Sequence, residues 1–183
     1  MQPRFRPKAF AVVLAVVMAI PVAAAAKPAS SFELSMSYSN PNSQASFTVD
    51  FDELGNAHFS FARTEVAIVS CAAVSGLTTT SWVVDAPLSD SEVWVSRKLD
   101  DLLITGSVPV TRTVSEFCPE TGLVEHSTTS IETVVLEGSS PDRLRRARMD
   151  GARVLSSTLD PLTLSLAELG WSGVGILRET ISK

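Results

Sequence analysis

The stretch FELSMSY, residues 32–38, decides the fold class, because its apolar side chains recur at every second position. At a period of two, Phe32, Leu34, Met36 and Tyr38 share one face and Glu33, Ser35 and Ser37 the other. That is the pattern of a β-strand buried on one side; a helix would need spacings of three and four. Phe47, Val49 and Phe51 repeat it against Thr48, Asp50 and Asp52. Phe59 and Phe61 follow after the turn-forming Glu53-Leu-Gly-Asn56, which predicts a hairpin.

The same alternation predicts short strands over 66–69, 82–84, 93–95, 108–114, 131–136 and 162–166, punctuated by Gly, Pro, Ser and Asp. Serine and threonine fill the intervening positions, as suits the solvated face of an antiparallel sheet. Asp150-Gly151 lies between 144–149 and 153–159, and Asp-Gly between extended segments is a strong two-residue hairpin signal. Helix competes only at Asp160, which would cap one with Pro161 at its first position. The two-residue spacing of Leu162, Leu164 and Leu166 favours a strand instead. The expected fold is all-β: an antiparallel sandwich or barrel of roughly nine to eleven short strands.

The N-terminus reads as a targeting segment. Arg4, Arg6 and Lys8 precede an apolar run that Pro21 interrupts, and Ala24 and Ala26 stand where a signal peptidase accepts small residues. A cleaved secretory signal peptide over 1–26 is expected, followed by a single β-sandwich domain over 27–183 and a secreted product. The competing reading is an uncleaved N-terminal anchor, since residues 9–26 form an apolar stretch of 18, near the lower limit for spanning a bilayer.

Losing Arg4, Arg6 and Lys8 would leave 12 basic against 20 acidic residues, a net charge of −8. That balance argues against nucleic acid or, after signal cleavage, anionic membrane as partner. Cys71 and Cys118 are the 2 cysteines of the chain, and in an exported protein they are expected to form one disulfide. They lack the Cys-x-x-Cys spacing of a redox pair, and too few ligands accompany them for a metal site. No cofactor or metal is expected.

Catalytic signals are sparse. There is no Gly-x-Ser-x-Gly motif, and only His58 and His126 could serve as a general base. His58 is expected on the polar side of a strand, and His126 in a loop or hairpin end after Cys118-Pro-Glu-Thr-Gly122. Asp50 and Asp52 share a strand face, but Leu54 and Phe61 stand where a calcium loop needs oxygen ligands, so the acids read as a solvated strand running into a turn. Two charge features remain. Arg143, Arg145, Arg146, Arg148 and Arg153 concentrate on one hairpin, where they either protect a sheet edge or dock an anionic cell-wall polymer, a glycan or an acidic protein. An acidic turn over 85–92 separates Trp82 from Trp94, a pairing that suits sugar binding if the rings are exposed and a core if they are not.

Cys71, Trp82 and Cys118 are similar to the Cys, Trp, Cys arrangement of immunoglobulin variable domains, but Glu116 occupies the tyrosine-corner position and the likeness ends there. Val93-Trp-Val-Ser-Arg97, the arginine-rich strand and the terminal Gly170-Trp-Ser-Gly-Val-Gly175 resemble small exported bacterial β-proteins that end in a Trp-x-Gly-x-Gly strand. That resemblance implies secretion and an all-β fold and supplies no catalytic residue. Trp171 is expected to plug the sheet, with Gly173 and Gly175 on its own face allowing close approach or a bulge. The functional expectation is a secreted, non-catalytic protein that binds or structures something at the cell exterior, the alternative being a secreted hydrolase or protease inhibitor.

Overall fold

The structure, a computed structural model, describes residues 30–72, 74–141, 144–167 and 169–182; the expected signal peptide and Arg143 lie outside these residues. The described residues form ten strands: β1 (Ser30–Asn40), β2 (Ser43–Asp52), β3 (Ala57–Ser70), β4 (Ser75–Pro87), β5 (Ser89–Val95), β6 (Asp101–Cys118), β7 (Gly122–Ser139), β8 (Arg145–Met149), β9 (Ala152–Leu166) and β10 (Leu169–Ile181). All pairings are antiparallel, in the order β10-β1-β2-β3-β4-β6-β7-β9-β8, and a further β9 to β10 ladder closes the ring. Of the two all-β forms open to the sequence, the sheet therefore takes the barrel. Eight strands make the wall, while β5 extends the β4 edge of β6 and β8 continues the β7 edge of β9.

Alternation fills the inside. Leu34, Val49, Phe59, Ile104, Val134, Leu136, Leu164 and Leu177 are essentially inaccessible, and Phe47, Phe61, Trp82 and Val84 join them in one cluster. The serines, threonines and acids between them face out, so the barrel is apolar inside and polar outside, the reverse of a transmembrane barrel. At about 25 cal/mol per Å2 of apolar area removed from water, each fully buried Leu or Phe contributes about 2 kcal/mol. The Leu162, Leu164, Leu166 segment is a strand, and its three leucines are buried. Asp150 (φ 49) and Gly151 (φ 82) both adopt positive φ in the β8–β9 turn, the two-residue geometry that Asp-Gly favours.

Several strands are longer than their apolar runs. β6 and β7 each span 18 residues, and the upper parts of β3, β4, β6 and β7 rise past the barrel wall as an open four-stranded sheet. Serine and threonine occupy both faces of β4, β6 and β7 there, so alternation marked only 66–69 of β3 and the end of the 108–114 run. His126 accordingly sits within β7 opposite Val114, in place of the loop or hairpin end that the sequence suggested. The segment over 85–92 is likewise no open turn: β4 runs into β5 with only Leu88 between them, and Leu88 is buried.

The Cys71–Cys118 disulfide forms as expected, with Cα atoms 5.8 Å apart. It staples the β3–β4 tip to the end of β6 within the same sheet, so it is not the inter-sheet bridge of an immunoglobulin domain. Gly76 makes the room: a Cβ there would lie 2.5 Å from Cys71 Sγ. Structural disulfides belong to oxidising compartments.

Candidate functional site

The arginine hairpin is built from β8 and β9, and the register sorts its charges by face. Arg146 pairs with Leu155 and Arg148 with Arg153. Directly opposed residues share a face, as do residues two apart on one strand. Arg146, Arg148 and Arg153 therefore stand on one side of the ribbon, and Arg145 on the other with Ala147 and Met149. All four arginines are exposed. Like charges directly opposite one another destabilise a strand pair, and among the described residues no carboxylate pairs with any of these four.

That arginine face prolongs the barrel's inner face beyond its lower mouth. Arg146, Leu155, Glu179, Phe32 and Phe51 follow one another across β8, β9, β10, β1 and β2 in a single register row. Phe32 and Phe51 stack with centroids 4.9 Å apart and planes within 3°. They floor a cavity of about 450 Å3 lined also by Val93, Val95, Leu99, Arg97 and Glu179, a volume within the usual range for small-molecule clefts. Asp52 borders it, but its carboxylate accepts hydrogen bonds from Asn56 Nδ2 (2.8 Å) and from the backbone N–H groups of Leu54 and Asn56. The Asn56 amide, with those N–H groups, holds the Asp52 carboxyl below the usual carboxylate range. Asp52 thus shapes the β2–β3 turn, and it is not poised to exchange a proton near neutral pH.

The remaining candidates are dispersed. His58 Nε2 lies 3.6 Å from Asp85 Oδ1, and the Ser60 hydroxyl donates to the same oxygen at 3.0 Å. The acid thus sits between serine and histidine, whereas proton relay needs the histidine in the middle. All three are on the barrel's outer surface, and Asp50 pairs with His58 in the β2–β3 ladder there. Residues 118–122 make a tight β6–β7 turn closed by the Thr121 N–H donating to the Cys118 carbonyl at 3.2 Å. Among the described residues no three His, Cys, Asp or Glu side chains gather as metal ligands.

The tryptophans separate. Trp82 is 8% exposed and lies beneath the guanidinium groups of Arg63 and Arg112, at 5.6 and 5.8 Å, a cation–π arrangement. Trp94 is 56% exposed and borders a shallow outer cleft with Asp101, Glu137 and Pro161. Trp171 packs edge-on against Phe47 (5.7 Å) and Tyr38 (6.3 Å) at the barrel's upper mouth. Gly173 and Gly175 share its inward face: a Cβ on Gly173 would meet Met36 Sδ at 3.3 Å, and one on Gly175 would collide with Leu162. The register shifts between them, so Val174 faces a bulge formed by Asp160 and Pro161. The terminal glycine motif is thus sheet architecture. The cavity at the lower mouth had no signature in the sequence, because its walls come from four separate segments. Comparison with known protein families, with curated proteins and with solved structures finds no match to this chain.

Proposed function

We propose that this protein is an exported, non-catalytic β-barrel that binds an anionic polymer of the cell exterior through the arginine face of its β8–β9 hairpin. One observation carries the reading: Arg148 stands directly opposite Arg153, with Arg146 beside them on the same face. Edge protection accounts for charges on the edge strand β8 but not for Arg153 on β9, and three cations on one face, with no acid to neutralise them among the described residues, suit a ligand that brings several negative charges. Guanidinium groups match carboxylate and phosphate oxygens two at a time. The acidic remainder of the chain makes this patch the local exception, so a polyanion would dock there in one orientation. Export is supported by the signal-like N-terminus and by a disulfide of the kind that persists in oxidising surroundings.

The test is retention on immobilised polyphosphate and on a carboxylated polysaccharide over a salt gradient. Wild type elutes late, and its affinity falls steeply with salt. The variant Arg146→Ala/Arg148→Ala/Arg153→Ala elutes in the void, while Arg112→Ala elutes with wild type. Equal retention of wild type and the triple variant contradicts the proposal.

A further inference from the structure

Residues 122–133 of β7 pair with β6 along one side only, because β9 meets β7 only at residues 134–138. Among the described residues no strand takes the other side, so the N–H and C=O groups of every second residue face outward there. Proteins ordinarily blunt such an edge with charged side chains, lysine above all, or with proline, a bulge or a covering element; the acids here are Glu125 and Glu132. This one, GLVEHSTTSIET, has neither lysine nor proline, and the β6–β7 register runs through it without a shift. On the outer face Thr111 and Thr129 share a hydroxyl hydrogen bond at 3.1 Å, and Thr113 and Ser127 one at 2.9 Å, which add to the β6–β7 ladder.

We propose that this edge pairs antiparallel with the same edge of a second copy of the chain, with Thr129 opposite Thr129 of that copy, so that the two upper sheets become one across a twofold axis. A twofold contact requires each residue and its partner to exchange places, and it requires paired residues to share a sheet face, which restricts the register to steps of two. With Thr129 at the centre, His126 faces Glu132 of the second copy and Glu132 faces its His126. Thr128 meets Ser130, Glu125 meets Thr133, and no like charges oppose. A shift of one step either way loses both histidine–glutamate pairs. Ile131, 72% exposed in the single chain, is covered along its flank by Ser127 of the second copy. The β8 edge offers no comparable self-pairing, because its arginines would confront one another.

Sedimentation equilibrium of the oxidised protein from micromolar to hundred-micromolar concentration tests this. Wild type shows twice the chain mass, and Thr129→Lys, which opposes two ammonium groups at the axis, shows the single mass with an unchanged circular dichroism spectrum. Under mild oxidation Thr129→Cys links two chains through the introduced thiols, mapped by peptide mass spectrometry, and links them far more completely than Ser127→Cys, whose partner position is Ile131. A wild type that stays at single mass throughout, a Thr129→Lys variant that stays at double mass, or stronger linking through position 127 overturns the proposal.

Discussion

The lower and upper halves of β3, β4, β6 and β7 are continuous strands built on opposite principles. Below, the sheet is closed, every second side chain is apolar, and Phe59, Ile104, Val134 and Leu136 are inaccessible. Above, the sheet is open on two sides, and threonine and serine line both faces. The row Ile68, Leu77, Phe117 and Leu123 lies exposed across its outer surface. The lower half is held by burial inside the closed eight-stranded wall. The upper half is held by ladder hydrogen bonds, by cross-strand hydroxyl pairs and by the Cys71–Cys118 staple at its tip. The contrast locates rigidity in the barrel and leaves pairing capacity in the open sheet.

The largest effect is expected from Phe59→Ala, which empties the centre of the barrel and lowers global stability by about 3–5 kcal/mol, read as a fall in the chemical-denaturation midpoint. Removing the staple with Cys71→Ala/Cys118→Ala follows, at about 2–4 kcal/mol on the chain-entropy account. Its signature is local: proteolysis moves to the β3–β4 tip while the barrel stays resistant. Trp171→Ala comes next. The ring is only half buried at the upper mouth, so about 2 kcal/mol is expected, below the usual range for core aromatics. Loss as large as that of Phe59→Ala would mean that the upper mouth is as tightly held as the centre, and the contrast would fail. The smallest effect has the opposite sign. Ser157 is 3% exposed with no hydrogen-bond partner for its hydroxyl, so Ser157→Ala is expected to leave the thermal midpoint unchanged or to raise it by an amount equivalent to at most about 1 kcal/mol.

The lower half was legible in the sequence because burial on one face writes a period of two. FELSMSY, Phe47 to Phe51 by twos, and the three leucines of β9 all announced inward positions that the structure fills. The Asp-Gly turn was legible for a separate reason, its demand for positive φ. Closure into a barrel was not legible, since the β9 to β10 ladder that completes the ring depends on register across the whole sheet. The upper half was only partly legible, at 66–69 and 108–114, for a physical reason: where both faces meet water, alternation carries little information, and His126 was expected in a loop or hairpin end. Clustering of the arginines was visible in sequence, but their sorting onto one face needed the pairing of Arg148 with Arg153. Trp82 and Trp94 looked alike in sequence, yet one lies in the core beneath two guanidinium groups and the other on the outer wall.

Native-state hydrogen exchange on the protein, oxidised and after selective reduction of Cys71–Cys118, tests the two-halves account most directly. The amides of Val49, Phe59, Leu136 and Leu164 are expected to exchange only through global unfolding in both forms, while those of Thr78, Thr80, Val114 and Glu116 lose protection on reduction. A uniform loss across both halves, or upper-sheet amides as protected after reduction as before it, would contradict it.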